Sequence, residues 1–78
     1  NLLLVEPRGR PPGGDRDLLG FAVLTLCPID RRLTVPALLA AEERAWVDAY
    51  HARVRDELAP LLDDPADRAW LEAACAPL

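Results

Sequence analysis

The segment from Phe21 to Cys27, FAVLTLC, constrains the fold more than any other part of this sequence. Apart from Thr25, its residues are apolar at odd and even positions alike. Successive side chains of a strand point to opposite faces, so a strand with one face in water alternates between apolar and polar residues. A strand in this segment therefore needs cover on both faces, as the strands of internal sheets have.

A chain of 78 residues offers little material for that cover. Domains of this size bury a small fraction of their surface, roughly 60% at 60 residues, and they usually gain stability from disulfides, metals or partners. Only two cysteines and one histidine are present. We therefore expect the missing cover to come from a partner, or from a larger protein of which this chain is the end.

Charge and hydropathy exclude two classes of partner. The net charge is −4, and the nine basic residues form no stripe that would bind nucleic acid. No apolar run approaches the roughly 20 residues that span a bilayer. The chain starts with neither a methionine nor a secretory signal, and we expect it to begin inside a longer, cytoplasmic protein.

The first thirty residues predict an antiparallel hairpin. A short strand over Asn1–Val5 should end at Pro7, and the proline- and glycine-rich stretch that follows should form a loop. A second strand is expected over Leu18–Leu26, closed by Pro28 because proline is confined to the ends and edges of strands. A two-stranded hairpin is barely stable alone.

The remainder predicts two helices. Apolar residues at four-residue spacing indicate an amphipathic helix from about Ala41 to about Ala59, which should end or kink at Pro60; they are Trp46, Tyr50, Val54 and Leu58. Asp64 and Pro65 form an N-terminal signal for a second helix, from Ala66 to about Cys75. The fold class is therefore α+β, and we expect the two helices to cover one face of the hairpin.

His51 is the one histidine, and Asp48 precedes it by three residues. The pair could supply two metal ligands from one helix face, but the sequence places no third ligand nearby. A hydrogen-bonded histidine at the edge of the apolar face is the favoured interpretation.

Other residues of possible chemical interest also favour structural roles. Cys27 and Cys75 could form a disulfide, but the low cysteine count favours reduced thiols. Trp46, Tyr50 and Trp70 could form an aromatic platform for a ligand, yet their helical spacing favours core or interface packing. The glycine-rich loop lacks a phosphate-binding motif. We assign no catalytic or metal-binding residue to this chain.

Three stretches resemble one family, the Xaa-Pro aminopeptidases (aminopeptidase P). FAVLTLCPIDRRL is similar to the family's FE-x-LTL-x-PID segment. AEERAWVDAYHARVRDELAPLL resembles its EE-x-x-WLN-x-YH-x-x-V helix, and RAWLEAACAPL resembles its closing WL-x-x-x-T-x-P tail. The order and spacing agree over nearly the whole chain. One departure is Ala22, which stands where the family usually has glutamate.

The resemblance implies a metallopeptidase with a pita-bread catalytic fold. Two divalent metal ions, commonly manganese, would activate a water that removes the residue preceding proline at the N-terminus of a peptide. The family's ligands are two aspartates, one histidine and two glutamates, and the resemblance implies that all five lie upstream of Asn1. His51 would then be neither a metal ligand nor a proton shuttle.

Two interpretations follow. In the first, residues 1–30 are the last strands of the catalytic domain of such an enzyme and residues 31–78 are a helical extension. The extension braces the catalytic domain or supports a homodimer, with Trp46, Tyr50, Val54 and Trp70 as packing or interface residues. In the second, the chain is a stand-alone interaction module that dimerises through its apolar strands.

Overall fold

The computed structural model describes residues 1–78 and contains a hairpin followed by two helices, as the sequence predicts. Strand β1 (Leu3–Gly9) pairs antiparallel with β2 (Leu18–Val23). Helix α1 spans Ala41–Leu58 and α2 spans Pro65–Ala74, with short 3-10 turns at Arg31–Leu33, Pro36–Leu38 and Ala59–Leu61. The α+β class is confirmed.

The prediction that Pro7 ends the first strand was wrong. Pro7 pairs with Leu19, and the strand continues to Gly9 through an irregularity in register. Because β1 has only one neighbouring strand, half of its backbone amides are not needed for the ladder, and a proline is tolerated there. Gly9 has a φ of 71°, a conformation that glycine adopts at little cost.

The second strand leaves the ladder earlier than predicted, at Val23 rather than Leu26. The chain stays bound to the start of β1 for two more residues. The Leu24 amide donates to the Leu2 carbonyl at 2.8 Å, and the Leu2 amide donates to Thr25 Oγ1, also at 2.8 Å. A side-chain hydroxyl thus takes the place of the next carbonyl of the ladder.

Local signals determine the helix ends. Asp64 accepts a hydrogen bond from the Ala66 amide at 2.8 Å, with Pro65 at the first helical position, as predicted. At the start of α1, the Glu43 carboxylate accepts from the Ala40 amide at 2.8 Å. Neither helix combines the length and the apolar character that a membrane span requires.

The core lies between the helices and not under the hairpin. Val54, Leu71 and Cys75 are buried, and α1 packs against α2 around them. The expectation that the helices cover one face of the hairpin was wrong, because the buried residues of the two helices pack against each other instead. Large apolar side chains of the hairpin region are 50–72% exposed; they are Leu2, Leu3, Leu4, Val5, Leu18, Leu19, Phe21 and Leu24.

Candidate functional site

The most highly organised polar site joins helix α1 to the segment that leaves β2. Tyr50 and His51, adjacent on α1, bind backbone groups of residues 25–29. We call this arrangement, the two side chains with the backbone of residues 25–29, the α1 clasp.

Tyr50 provides half of the clasp through one hydroxyl. Its oxygen accepts a hydrogen bond from the Cys27 amide at 3.1 Å and donates to the Thr25 carbonyl at 2.9 Å. Because Thr25 Oγ1 also accepts from Leu2, Thr25 connects the helix to the start of β1. The Tyr50 ring is held by Trp46, one turn earlier on α1, which stacks on it with ring centroids 5.5 Å apart and planes 4° from parallel.

His51 provides the other half, from a position with no exposed surface. Its Nε2 accepts a hydrogen bond from the Ile29 amide at 3.0 Å. An amide N–H can only donate, so Nε2 carries no proton and the imidazole is neutral with its proton on Nδ1. The prediction of a hydrogen-bonded histidine is confirmed, and the segment before α1 contributes to its full burial.

Electrostatics keep this imidazole neutral. Burial lowers the pKa of His51 below its ordinary value, the positive charge of Arg31 lowers it further, and Asp48 acts in the opposite direction. Asp48 is only partly available to compensate, since one of its carboxylate oxygens accepts from the Leu78 amide at 2.9 Å. In this fold His51 Nε2 and one oxygen of Asp48 each accept a hydrogen bond from a backbone amide.

The C-terminal residues lie against the same region through arginines. Arg31 donates to the carbonyls of Ala76 and Pro77, and Arg44 donates to the Leu78 carbonyl at 3.0 Å. The end of the chain is thereby attached both to α1 and to the segment before it. Sequence patterns missed these contacts, because they join residues more than thirty positions apart.

The four predicted packing residues differ in exposure. Val54 is fully buried and Tyr50 is half-buried, whereas Trp46 and Trp70 are 59% and 65% exposed. Val54 and Tyr50 thus pack within this chain. The two tryptophans have surface available for contacts outside it, so their role at an interface stays a prediction.

A groove with a volume of about 550 Å³ lies between the segment before α1 and helix α2. Trp70 lines it on one side, and Asp30, Arg31 and Arg32 line it on the other. Asp30 and Arg32 form an ion pair at 2.9 Å, and the hydrogen bond from Arg32 holds the pKa of the Asp30 carboxyl below its usual value. The charges of Asp30 and Arg32 therefore satisfy one another, whereas Arg31 donates to the C-terminal carbonyls.

The thiols and carboxylates form no reactive cluster either. Both cysteines are free, Cys27 exposed and Cys75 buried, and burial raises the pKa of the Cys75 thiol so that it stays protonated. No group of three or more His, Cys, Asp or Glu side chains could hold a metal ion. The hydrogen bonds described above attach helix α1 and the C-terminal residues to the segment before α1.

Comparison with known proteins identifies the family. A family model described as the C-terminal region of peptidase M24 matches residues 17–78. The chain belongs to this family. A probable Xaa-Pro aminopeptidase P of Laccaria bicolor is 42% identical over 66 residues, covering 83% of this chain and 10% of the relative. Aminopeptidase P1 of Lotus japonicus is 40% identical over 65 residues, again 83% of this chain and 10% of the relative.

A further relative covers the chain from end to end. A probable Xaa-Pro aminopeptidase P of Coprinopsis cinerea is 35% identical over 80 residues, which correspond to 100% of this chain and 13% of the relative. The chain thus spans about a tenth of the length of the curated relatives it matches. No solved structure matches it. The resemblance predicted from the three motifs is confirmed.

Proposed function

We propose that this chain is the C-terminal part of a metal-dependent Xaa-Pro aminopeptidase and that its role there is structural. Within that enzyme, residues 1–30 are the last strands of the catalytic domain and residues 31–78 are a helical extension that braces it. Membership of the peptidase M24 family and likeness to aminopeptidases P support the enzyme class.

One observation carries the structural role: the hairpin is apolar on both faces and exposed on both. Phe21 is 62% exposed on one face, and Leu4, which pairs with Ala22 on the other face, is 53% exposed. The helices bury Val54, Leu71 and Cys75 against each other and leave the hairpin uncovered. Covering side chains of this size stabilises a protein by about 1.5–3 kcal/mol each. The proposed occupant is the catalytic domain that precedes Asn1, because both strands have an unpaired edge that a larger sheet would continue.

In this proposal the α1 clasp connects the helical extension to the strands of the catalytic domain. Tyr50 and His51 attach α1 to residues 25–29, and Thr25 attaches the same segment to Leu2 at the start of β1. The helical extension is therefore attached by hydrogen bonds to the two strands that would complete the catalytic sheet. This arrangement supports a fixed position of the extension on the catalytic domain.

The metal site is proposed to lie outside this chain. The residues here do not fit a two-metal centre, since no three potential ligands lie together. The two divalent ions, manganese in this proposal, and the peptide with proline in second position would be bound by upstream residues. We derive no catalytic step from the residues of this chain.

Activity measurements test the division of labour. The full-length protein with added Mn²⁺ should release the first residue of a Xaa-Pro peptide, and the isolated 78-residue chain should not. Turnover by the isolated chain would refute the upstream placement of the metal ligands. A full-length protein that cleaves no Xaa-Pro peptide would refute the proposed enzyme class.

A pair of substitutions at one position tests the covered hairpin. In the full-length protein, Phe21→Asp should lower the thermal unfolding temperature and the peptidase activity, because it places a charge where apolar contact is proposed. Phe21→Leu is the matched control and should leave both nearly unchanged, since it keeps the apolar contact. Equal behaviour of the two variants would contradict burial of this face.

The proposal also includes a homodimer contact, which the exposed rings of Trp46 and Trp70 support. Aromatic residues are enriched at the centres of interfaces. Light scattering of the full-length protein should give twice the protomer mass, reduced by Trp70→Ala. A monomeric wild-type protein would refute the dimer without affecting the enzyme class.

A cytoplasmic location completes the proposal, and it is supported by the two free cysteines.

A further inference from the structure

His51 is a buried group that can titrate, and the structural role proposed for the chain involves no change with pH. It has no exposed surface, and its Nε2 accepts the Ile29 amide at 3.0 Å. Its Nδ1 is buried and has no hydrogen-bond partner in the chain. The ring is therefore held through one hydrogen bond that only its neutral form can make.

We propose that His51 is an acid-sensitive latch, which holds residues 27–31 on helix α1 when neutral and releases them when protonated. The proton would have to bind at Nε2, because Nδ1 already carries one. Protonated Nε2 becomes a donor and faces the Ile29 amide, which is also a donor. The hydrogen bond then cannot persist, and the segment must move for the ring to find an acceptor or water.

The surrounding charges favour release over accommodation of the proton. Arg31, in the segment before α1, places a positive charge near the ring, and this charge would repel a protonated His51. Asp48 on α1 is the one opposing carboxylate, and the Leu78 amide already occupies one of its oxygens. On the α2 side of the core, Cys75 is neutral. Among these groups only Asp48 favours an imidazolium, and burial together with Arg31 outweighs it.

The latch would act on the junction between the two parts of the chain. Residues 27–31 connect β2 to the helices, and they include Arg31, which also binds the C-terminal carbonyls of Ala76 and Pro77. Release of Ile29 would therefore loosen the hairpin and the C-terminal residues together. This inference concerns the fold of the chain and does not depend on the proposed peptidase activity.

The pH window follows from the sign of the pKa shift. The pKa of His51 is lower in the closed state than the ordinary value of about 6.5 that it regains when released. The released state binds more protons, so closure is most stable above about pH 6.5 and weakens as the pH falls from there to the lowered pKa. Within that window the closed-to-open ratio should fall by up to tenfold per pH unit.

Hydrogen–deuterium exchange of the full-length protein between pH 5 and pH 8 measures this ratio. After correction for the intrinsic exchange rate, protection of the Ile29 amide in a peptide covering residues 24–31 should be constant above about pH 6.5 and decline below it. His51→Gln keeps a hydrogen-bond acceptor that does not titrate in this range, so its protection should not vary with pH.

Tyr50→Phe is the matched control in the other half of the clasp. It should lower protection at every pH and keep the same pH dependence, because it removes hydrogen bonds without removing the titrating group. A flat wild-type profile would overturn the proposal even if His51→Gln failed to fold. An unchanged pH dependence in a folded His51→Gln protein would overturn it as well.

Discussion

Replacing Tyr50 with phenylalanine is the sharpest perturbation of the α1 clasp. It removes one oxygen atom and leaves the ring that stacks on Trp46 in place. The lost hydroxyl makes two hydrogen bonds, at 3.1 Å with the Cys27 amide and at 2.9 Å with the Thr25 carbonyl. The change therefore separates hydrogen bonding from packing.

The magnitude follows from these two hydrogen bonds. Each contributes a net of about 0.5–1.5 kcal/mol, towards the lower end where water can replace the partner. The Cys27 contact is exposed and the Thr25 contact is partly buried, so we expect a combined loss of about 1–2 kcal/mol in the free energy of opening of residues 25–29. This corresponds to roughly a 5- to 30-fold change in the closed-to-open ratio.

Hydrogen–deuterium exchange of the full-length protein at pH 7.5 provides the assay. Protection of the Cys27 and Ile29 amides should fall by about 5- to 30-fold in Tyr50→Phe. Peptides from helix α2 should keep their protection, because that helix makes no hydrogen bond with Tyr50. Trp46→Phe leaves the Tyr50 hydroxyl in place and should change the protection of the two amides much less.

Unchanged protection in Tyr50→Phe would refute the reasoning. It would mean that residues 25–29 are held by packing or by His51 alone, and that the tyrosine hydroxyl exchanges protein partners for water at no cost. A similar loss across α2 would also refute it, since the clasp would then be inseparable from the helical core.

Two further predictions concern the core and the C-terminal residues. Val54→Ala should lower the free energy of local unfolding of the helical extension, measured by chemical denaturation, by about 1–3 kcal/mol, because truncating the fully buried Val54 leaves a cavity. Leu33→Ala is the control at an 85% exposed position. It should change the same free energy by less than about 0.5 kcal/mol. Arg31→Met keeps the apolar stem but removes the donors to the carbonyls of Ala76 and Pro77. Deuterium uptake of the C-terminal peptide should therefore become faster at every pH. An unchanged uptake would show that the arginine does not hold these residues.

The sequence by itself determined the helices. Asp64 and Pro65 mark the start of α2 and Pro60 follows the end of α1, because capping and the missing proline amide act over a single turn. It also determined that the strand near Phe21 would lack cover, since the absence of alternation is a local property of the chain. The family motifs are likewise local runs of residues, and they sufficed to identify the family.

Only the tertiary structure decided which residues meet. The clasp joins His51 to Ile29 across 22 positions and Tyr50 to Thr25 across 25, and no periodicity encodes such pairs. The segment before α1 contributes to the full burial of His51. The single neighbour of β1 allowed Pro7 inside a strand. Some backbone amides and carbonyls still lack hydrogen-bond partners after the helices and strands have formed. Which side chains supply those partners depends on the whole fold.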